Sequence, residues 1–166
     1  MVLASFRESA YDAPDLAGIA DHIELSLAHQ APEGKFVTAI MAEIDQQSAE
    51  IRLLSCGHPA PLLASGGLAR LAEPVEAGLP LGLSGLAADE RKEYTVPFGS
   101  DDRMLFYTDG ISEARDTSGA FYPVGRCGRL LSGPDPDAAL GRLYDDVLDH
   151  VGGHLHDDSA ALLVVR

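Results

Sequence analysis

Two stretches of the sequence could place carboxylates at the ends of β-strands. The apolar and aromatic run at residues 104–108 is followed directly by Asp109 and Gly110. A run of this length fits a buried strand and is too short for a helix. Near the end of the chain, Asp157 and Asp158 directly precede a second apolar run that ends at Val165. Two such strands side by side, with their acids at one end, would form an oxygen-rich site suited to Mg²⁺ or Mn²⁺.

Each of these acidic features is weak when it is taken alone. Asp-Gly is a common turn dipeptide, and Asp-Asp pairs also begin at Asp101 and Asp145. What distinguishes Asp157 is its position at the start of a strand, after a Gly-rich break. The sequence therefore leaves open whether these aspartates bind metal or only form turns.

Three histidines allow two interpretations each. His154 and His156 could contribute to a transition-metal site with Asp157, but loop residues are the simpler interpretation. His58, in the sequence Gly-His-Pro, could act as a general acid because imidazole titrates near neutral pH. A strand-ending turn with a locally bonded histidine is the favoured interpretation of His58.

Several other classes of site and partner are disfavoured by the sequence. Ser112 and Ser159 lie in no GxSxG nucleophile elbow, and the chain has no P-loop or dinucleotide fingerprint. The net charge of −14 disfavours a nucleic-acid or anionic membrane surface. The two cysteines, Cys56 and Cys127, lack zinc-ligand spacing and indicate a reducing compartment. We therefore expect a soluble, cytoplasmic chain without a signal peptide.

The hydrophobic periodicity predicts two helices, a block of strands, one further helix and a final strand. We expect a helix at residues 2–11, a second helix capped by Asp12, and a final helix opened by residues 134–137. Its predicted apolar face consists of Ala138, Leu140, Leu143, Tyr144, Val147 and Leu148. The predicted strands cover residues 36–44, 49–56, 62–64, 68–72, 91–98 and 104–108 and the tail. This order is not a regular strand–helix alternation and predicts one α+β domain over residues 1–166, with mostly antiparallel strands.

Five sequence blocks, in this order, resemble bacterial PPM-type metal-dependent serine/threonine phosphatases of the stage-two-sporulation and stress-response branch. No block is specific alone, but the five together cover nearly the whole chain. The blocks are Phe36-Val-Thr-Ala, Cys56-Gly-His-Pro-Ala-Pro61, Leu79-Pro-Leu-Gly-Leu83, Phe106-Tyr-Thr-Asp-Gly-Ile-Ser-Glu-Ala-Arg115 and Asp157-Asp-Ser-Ala.

The resemblance implies a β-sandwich flanked by helices and a site for two Mn²⁺ or Mg²⁺ ions. By resemblance, Asp109 is a metal-binding carboxylate, Asp157 is the terminal ligand and Asp158 has a supporting role. Gly110 resembles the glycine that lets the main chain pass close to the metals, and His58 is a supporting residue. A metal-activated water would attack phosphorus without a covalent enzyme intermediate.

The chain departs from the family pattern in one respect. The family carries an Asp-Val-x-Gly-His-Gly block that supplies central metal ligands, and no such block occurs here. The chain is then either an N-terminally incomplete phosphatase domain or a natural short form, and we expect these residues alone to have little or no activity. An in-frame block upstream would support an enzyme.

The partner implied by the resemblance is a phosphorylated regulatory protein similar to an anti-anti-sigma factor. The alternative hypothesis is a non-catalytic, degenerate module that binds a regulatory protein. Exposed sheet edges in an incomplete domain would also favour homo-oligomers.

Overall fold

The computed structural model describes residues 2–30, 35–45, 47–83, 91–155 and 158–166. Helices and strands do not alternate regularly along the chain, and the strands form two sheets. In chain order they are α1 (Val2–Ser9), α2 (Leu16–Gln30), β1 (Ala39–Asp45), β2 (Glu50–Cys56), β3 (Leu62–Ser65), β4 (Leu68–Leu71), β5 (Tyr94–Pro97), β6 (Arg103–Tyr107), α3 (Asp109–Ser112), α4 (Pro136–Val151) and β7 (Ala161–Val165). Contacts divide the chain into two compact units, Met1–His58 with Pro74–Pro97 and Pro59–Glu73 with Phe98–Arg166.

The first unit contains an antiparallel sheet in the order β1-β2-β5, together with α1 and α2. The hairpin β1–β2 pairs Ala39 with Cys56 at its open end, as the alternating apolar pattern predicts. The apolar stripe of α2 is buried, which confirms the helical periodicity. Its members are Leu16, Ile19, Ala20, Ile23 and Leu27.

Two sequence expectations in the first unit were wrong in detail. The residue that caps α2 is Asp15, whose Oδ1 accepts a hydrogen bond from the Gly18 amide at 2.8 Å. Asp12, the predicted cap, instead belongs to the turn after α1, where its amide donates a hydrogen bond to the Ser9 carbonyl. The strand expected from residue 36 begins at Ala39, because Val37 exchanges both main-chain hydrogen bonds with Leu81 instead of with β2.

The second unit contains a four-stranded antiparallel sheet in the order β4-β3-β6-β7, together with α3 and α4. Its central strand β6 is the apolar run that precedes Asp109, and Met104 and Leu105 on it are fully buried. The predicted pairing of this run with the tail strand is confirmed, since β6 and β7 are adjacent and antiparallel.

Helix α4 closes the core of the second unit, and its ends follow from local sequence. Asp135 accepts hydrogen bonds from the Asp137 and Ala138 amides at 3.0 and 3.3 Å, and Gly152 ends the helix in a left-handed conformation with φ 77°. The buried face is Ala139, Leu143 and Val147. The predicted face was therefore partly wrong: Tyr144 is 56% exposed.

Among the described residues, no helix has both the length and the apolar character needed to cross a membrane.

The core of the second unit predicts a loss of stability at alkaline pH. Burial, with smaller contributions from Cys127 and Glu73, raises the pKa of Tyr107 from 10.0 to about 12. Folding therefore favours the neutral phenol. This stabilisation is complete below the pKa of the unfolded chain and is lost as pH rises from about 10 to about 12. We expect the free energy of unfolding to fall across this window, and to fall less steeply in Tyr107→Phe.

Denaturant titrations at several pH values between about 9 and 12 would measure this slope. Tyr144→Phe is the matched control, because the Tyr144 side chain is largely exposed in the folded protein. Equal slopes for Tyr107→Phe and the unaltered protein would contradict the prediction.

Candidate functional site

The antiparallel pairing of β6 and β7 brings two acidic segments to one end of a sheet. The last pair of this ladder is Tyr107 with Ala161. The chain leaves β6 towards Asp109 and enters β7 from Asp158, so both segments lie at the same end. The sequence predicted this neighbourhood from two strands with acids at their ends.

Asp109 begins the short helix α3 directly after the strand. Its carboxylate Oδ1 accepts a hydrogen bond from the Gly110 amide at 3.0 Å, and its carbonyl accepts from the Glu113 amide at 2.7 Å. Asp109 itself is exposed, whereas Gly110 and Ile111 are buried. The buried neighbours fix the main chain and leave the carboxylate at the surface.

Gly110 is packed against the segment that leads into β7. A Cβ at this position would lie 2.6 Å from the Asp158 carbonyl oxygen and 2.9 Å from Ser159 Oγ. Real Cβ atoms do not approach main-chain atoms so closely, so only glycine fits here. The glycine thus allows the main chains of the two acidic segments to touch.

Thr108 joins the same two segments through its side chain. Thr108 Oγ1 donates a hydrogen bond to the Asp158 carbonyl at 3.1 Å and accepts one from the Ala160 amide at 2.9 Å. The sequence interpretation missed this residue. The available signal was a threonine at the point where a strand turns into a helix.

The remaining predicted acids lie in or beside the second segment. Asp158 is exposed, and Asp157 lies outside the described residues, as does His156.

Beyond α3, Asp116 is held by local hydrogen bonds, and those from the Ser118 hydroxyl and the Ala120 amide keep the pKa of its carboxyl below its usual value.

His58 belongs to the first unit and follows a glycine with φ 69°. Its Nδ1 lies 3.4 Å from Thr38 Oγ1, and its carbonyl accepts a hydrogen bond from Ser55 Oγ at 3.4 Å. These contacts are those of a histidine in a strand-ending turn.

The donor atoms at the end of β6 fit a hard divalent cation in kind. Asp109 and Asp158 offer carboxylate oxygens, which Mg²⁺ and Mn²⁺ prefer. Within the described residues, however, no three His, Cys, Asp or Glu side chains cluster closely enough to hold a metal ion.

Comparison with protein families gives a match over the whole chain. The model of stage II sporulation protein E (SpoIIE) matches residues 1–166.

Solved structures show where this fold occurs. The RsbU and RsbW domains of a Mycobacterium tuberculosis protein match with a TM-score of 0.77 and 22% identity, over 98% of this chain and 44% of that chain. The PP2C phosphatase domain with a regulatory fragment of SpoIIE from Bacillus subtilis matches with a TM-score of 0.79 and 16% identity, over 98% and 47%. The PPM Ser-Thr phosphatase MsPP from Mycobacterium smegmatis matches with a TM-score of 0.66 and 15% identity, over 99% and 79%.

The chain thus spans less than half of the first two of these solved chains. The expected fold class, α+β with antiparallel sheets and flanking helices of the PPM type, is confirmed by these matches. The chain belongs to the stage II sporulation protein E (SpoIIE) family and has the fold of PPM-type serine/threonine phosphatase domains.

Proposed function

We propose that this chain is part of a metal-dependent phosphoserine and phosphothreonine protein phosphatase of a bacterial regulator. The observation that carries the proposal is the junction of β6 and β7, where the main chain at Gly110 touches Asp158. Asp109, Asp158 and the neighbouring Asp157 are the proposed ligands of Mn²⁺ or Mg²⁺, two ions in a complete domain. His58 is proposed only as a supporting residue.

The chain's own residues supply binding and orientation. Asp109 offers a carboxylate whose direction is set by the hydrogen bond from its neighbouring amide. Gly110, the residue after Asp109, packs against the main chain of Asp158, so the two acidic segments are adjacent. When bound, divalent cations neutralise phosphate charge and lower the pKa of a bound water so that it can attack phosphorus.

The proposed substrate is a phosphorylated regulatory protein similar to an anti-anti-sigma factor, encountered in the cytoplasm. The support is family membership together with similarity to a structure of RsbU and RsbW domains and to SpoIIE, a cell fate determinant. The acidic chain, with net charge −14, suits a protein partner better than a nucleic acid.

A second candidate function is a non-catalytic module that binds a regulatory protein. It is favoured by the absence, among the residues that the structure describes, of any cluster of three possible metal ligands. A few carboxylates fill only part of the octahedral coordination shell of such an ion, so these 166 residues alone are proposed to bind Mn²⁺ weakly and to show little phosphatase activity.

Calorimetric titration with Mn²⁺, combined with release of phosphate from a phosphothreonine peptide, tests the proposal. Loss of a group that only orients a metal ligand typically weakens metal binding by roughly 10- to 100-fold. Asp109 is proposed to bind the metal directly, so we expect Asp109→Asn to weaken Mn²⁺ binding by more than this. Asp145→Asn is the matched control, because Asp145 lies exposed on α4.

Four results would separate the candidates. Selective loss of Mn²⁺ binding in Asp109→Asn supports the cation site, and metal-dependent phosphate release by the full-length protein supports the enzyme. Cation binding without phosphate release favours the binding module. Equal Mn²⁺ affinity in Asp109→Asn and Asp145→Asn would overturn the proposed site.

A further inference from the structure

We infer that Thr108 is a positioning residue for the candidate cation site. Its hydroxyl group holds the main chain of residues 158–160 against the end of β6, and thereby the segment that carries Asp158 and follows Asp157. The inference rests on the proposed function, because it assumes that these acids bind a divalent cation.

Thr108 forms three hydrogen bonds with the segment that leads into β7. Its amide donates to the Ala160 carbonyl at 3.0 Å. Its hydroxyl donates to the Asp158 carbonyl at 3.1 Å and accepts from the Ala160 amide at 2.9 Å. One residue therefore fixes two main-chain positions, 158 and 160, directly beyond the last pair of the β6–β7 ladder.

The Thr108 hydroxyl accepts the hydrogen bond from the Ala160 amide in place of the Thr108 carbonyl, which is used in the turn that opens α3. In a regular antiparallel pair, Thr108 and Ala160 would exchange amide-to-carbonyl hydrogen bonds in both directions. The Thr108 carbonyl instead accepts from the Ile111 amide at 3.0 Å, in the turn that opens α3. The chain can thus turn into α3 at Thr108 without leaving the Ala160 amide unpaired.

The local role expected of this threonine is absent. A threonine preceding a helix usually caps it, with its side-chain oxygen accepting from an amide of the first turn. Thr108 occupies this position before α3 but forms no side-chain cap bond. Its hydroxyl serves a segment 50 residues away in sequence instead.

This arrangement links the hydroxyl to cation binding. The carbonyl that accepts the bond from the Thr108 hydroxyl belongs to Asp158, whose carboxylate is a proposed cation ligand. Asp157, the other proposed ligand of this segment, is the preceding residue in the sequence. Without the hydroxyl, the segment loses two of the hydrogen bonds that hold it against the end of β6, whereas the bond from the Thr108 amide and the packing on Gly110 remain. Groups that orient metal ligands typically contribute about 10- to 100-fold to metal affinity.

The test compares Mn²⁺ affinity, measured by equilibrium dialysis, in Thr108→Val and Thr108→Ser. Valine keeps the shape of threonine but has no hydroxyl, so we expect affinity to fall by about 10-fold or more. Serine keeps the hydroxyl, so affinity should stay close to that of the unaltered protein. Thr95→Val, the same substitution at an exposed position of β5, is the control and should not change affinity.

The outcomes distinguish this inference from the proposed function. Loss in Asp109→Asn with unchanged affinity in Thr108→Val overturns the role of Thr108 and leaves the cation site intact. An equal loss in Thr108→Ser and Thr108→Val also overturns it, because the hydroxyl would then not be the cause. Absence of Mn²⁺ binding by the unaltered protein overturns both.

Hydrogen exchange on the unaltered protein provides a second measurement that does not depend on a variant folding. If the segment carries cation ligands, Mg²⁺ should slow exchange of the Ala160 amide. The buried Leu53 amide in β2 should show no change and serves as the reference. Exchange of Ala160 unaffected by saturating Mg²⁺ would overturn the inference.

Discussion

Gly110→Ala is expected to destabilise the second unit and to abolish divalent-cation binding at the proposed site. The new Cβ would lie 2.6 Å from the Asp158 carbonyl oxygen and 3.0 Å from its carbonyl carbon. Both are main-chain atoms that Thr108 holds in place, so neither can move without breaking hydrogen bonds. Forced overpacking of this kind costs about 1–3 kcal/mol. Moving the segment would also displace Asp158, a proposed cation ligand.

Urea titration and Mn²⁺ calorimetry on the same samples measure both effects. Gly141→Ala is the matched control, because Gly141 lies in α4 with no atom within 4 Å of an added Cβ. That change should stabilise the helix by roughly 0.5–1 kcal/mol, since alanine is the better helix former. A Gly110→Ala protein with unaltered stability and cation affinity would refute the close approach of the two segments.

The parts of the fold that are coded locally could be predicted from the sequence. The α2 stripe from Leu16 to Leu27 repeats at helical spacing, and a single core buries it. The strand before Asp109 is bounded by a turn on one side and by Asp-Gly on the other. Such segments depend on periodicity and breakers within a few residues, so the pattern and the structure agree.

Where two local signals compete, the sequence was less informative. Asp12 and Asp15 are both good caps, and only the turn that closes on Ser9 decides between them. Along α4, Tyr144 and Leu143 are adjacent apolar residues, and packing against the core selects Leu143. Tertiary contacts therefore decide which face of a helix is buried, whereas the extent of the helix can be predicted from the sequence.

The candidate site shows the same division between local and distant information. Asp109 and Gly110 could be proposed as site residues because their signal lies in consecutive residues. The role of Thr108 could not be derived, because its partners, Asp158 and Ala160, are 50 and 52 residues away. Only the antiparallel pairing of β6 with β7 brings them within hydrogen-bond distance, and strand pairing is a property of the whole sheet.

Leu105→Ala is expected to cause the second large loss of stability. Leu105 is fully buried on β6, where it pairs with Leu62 of β3 and Leu163 of β7. Truncation leaves a cavity between three strands whose main chains are fixed by ladder hydrogen bonds, so the core cannot collapse easily. Such changes cost about 2–5 kcal/mol, a large part of the roughly 5–15 kcal/mol that stabilises a typical domain.

Leu162→Ala on β7 is the matched control, because this side chain is 61% exposed and should change the free energy of unfolding by about 0.5 kcal/mol or less. Denaturant unfolding monitored by circular dichroism measures both variants. Similar losses in the two would contradict the assignment of β6 as the buried central strand. Thr108 and Asp109 follow β6 but do not contact the truncated side chain through the ladder. A Leu105→Ala protein that stays folded at low denaturant should therefore bind Mn²⁺ at the proposed site with unchanged affinity, which separates the strand's contribution to stability from its contribution to the site.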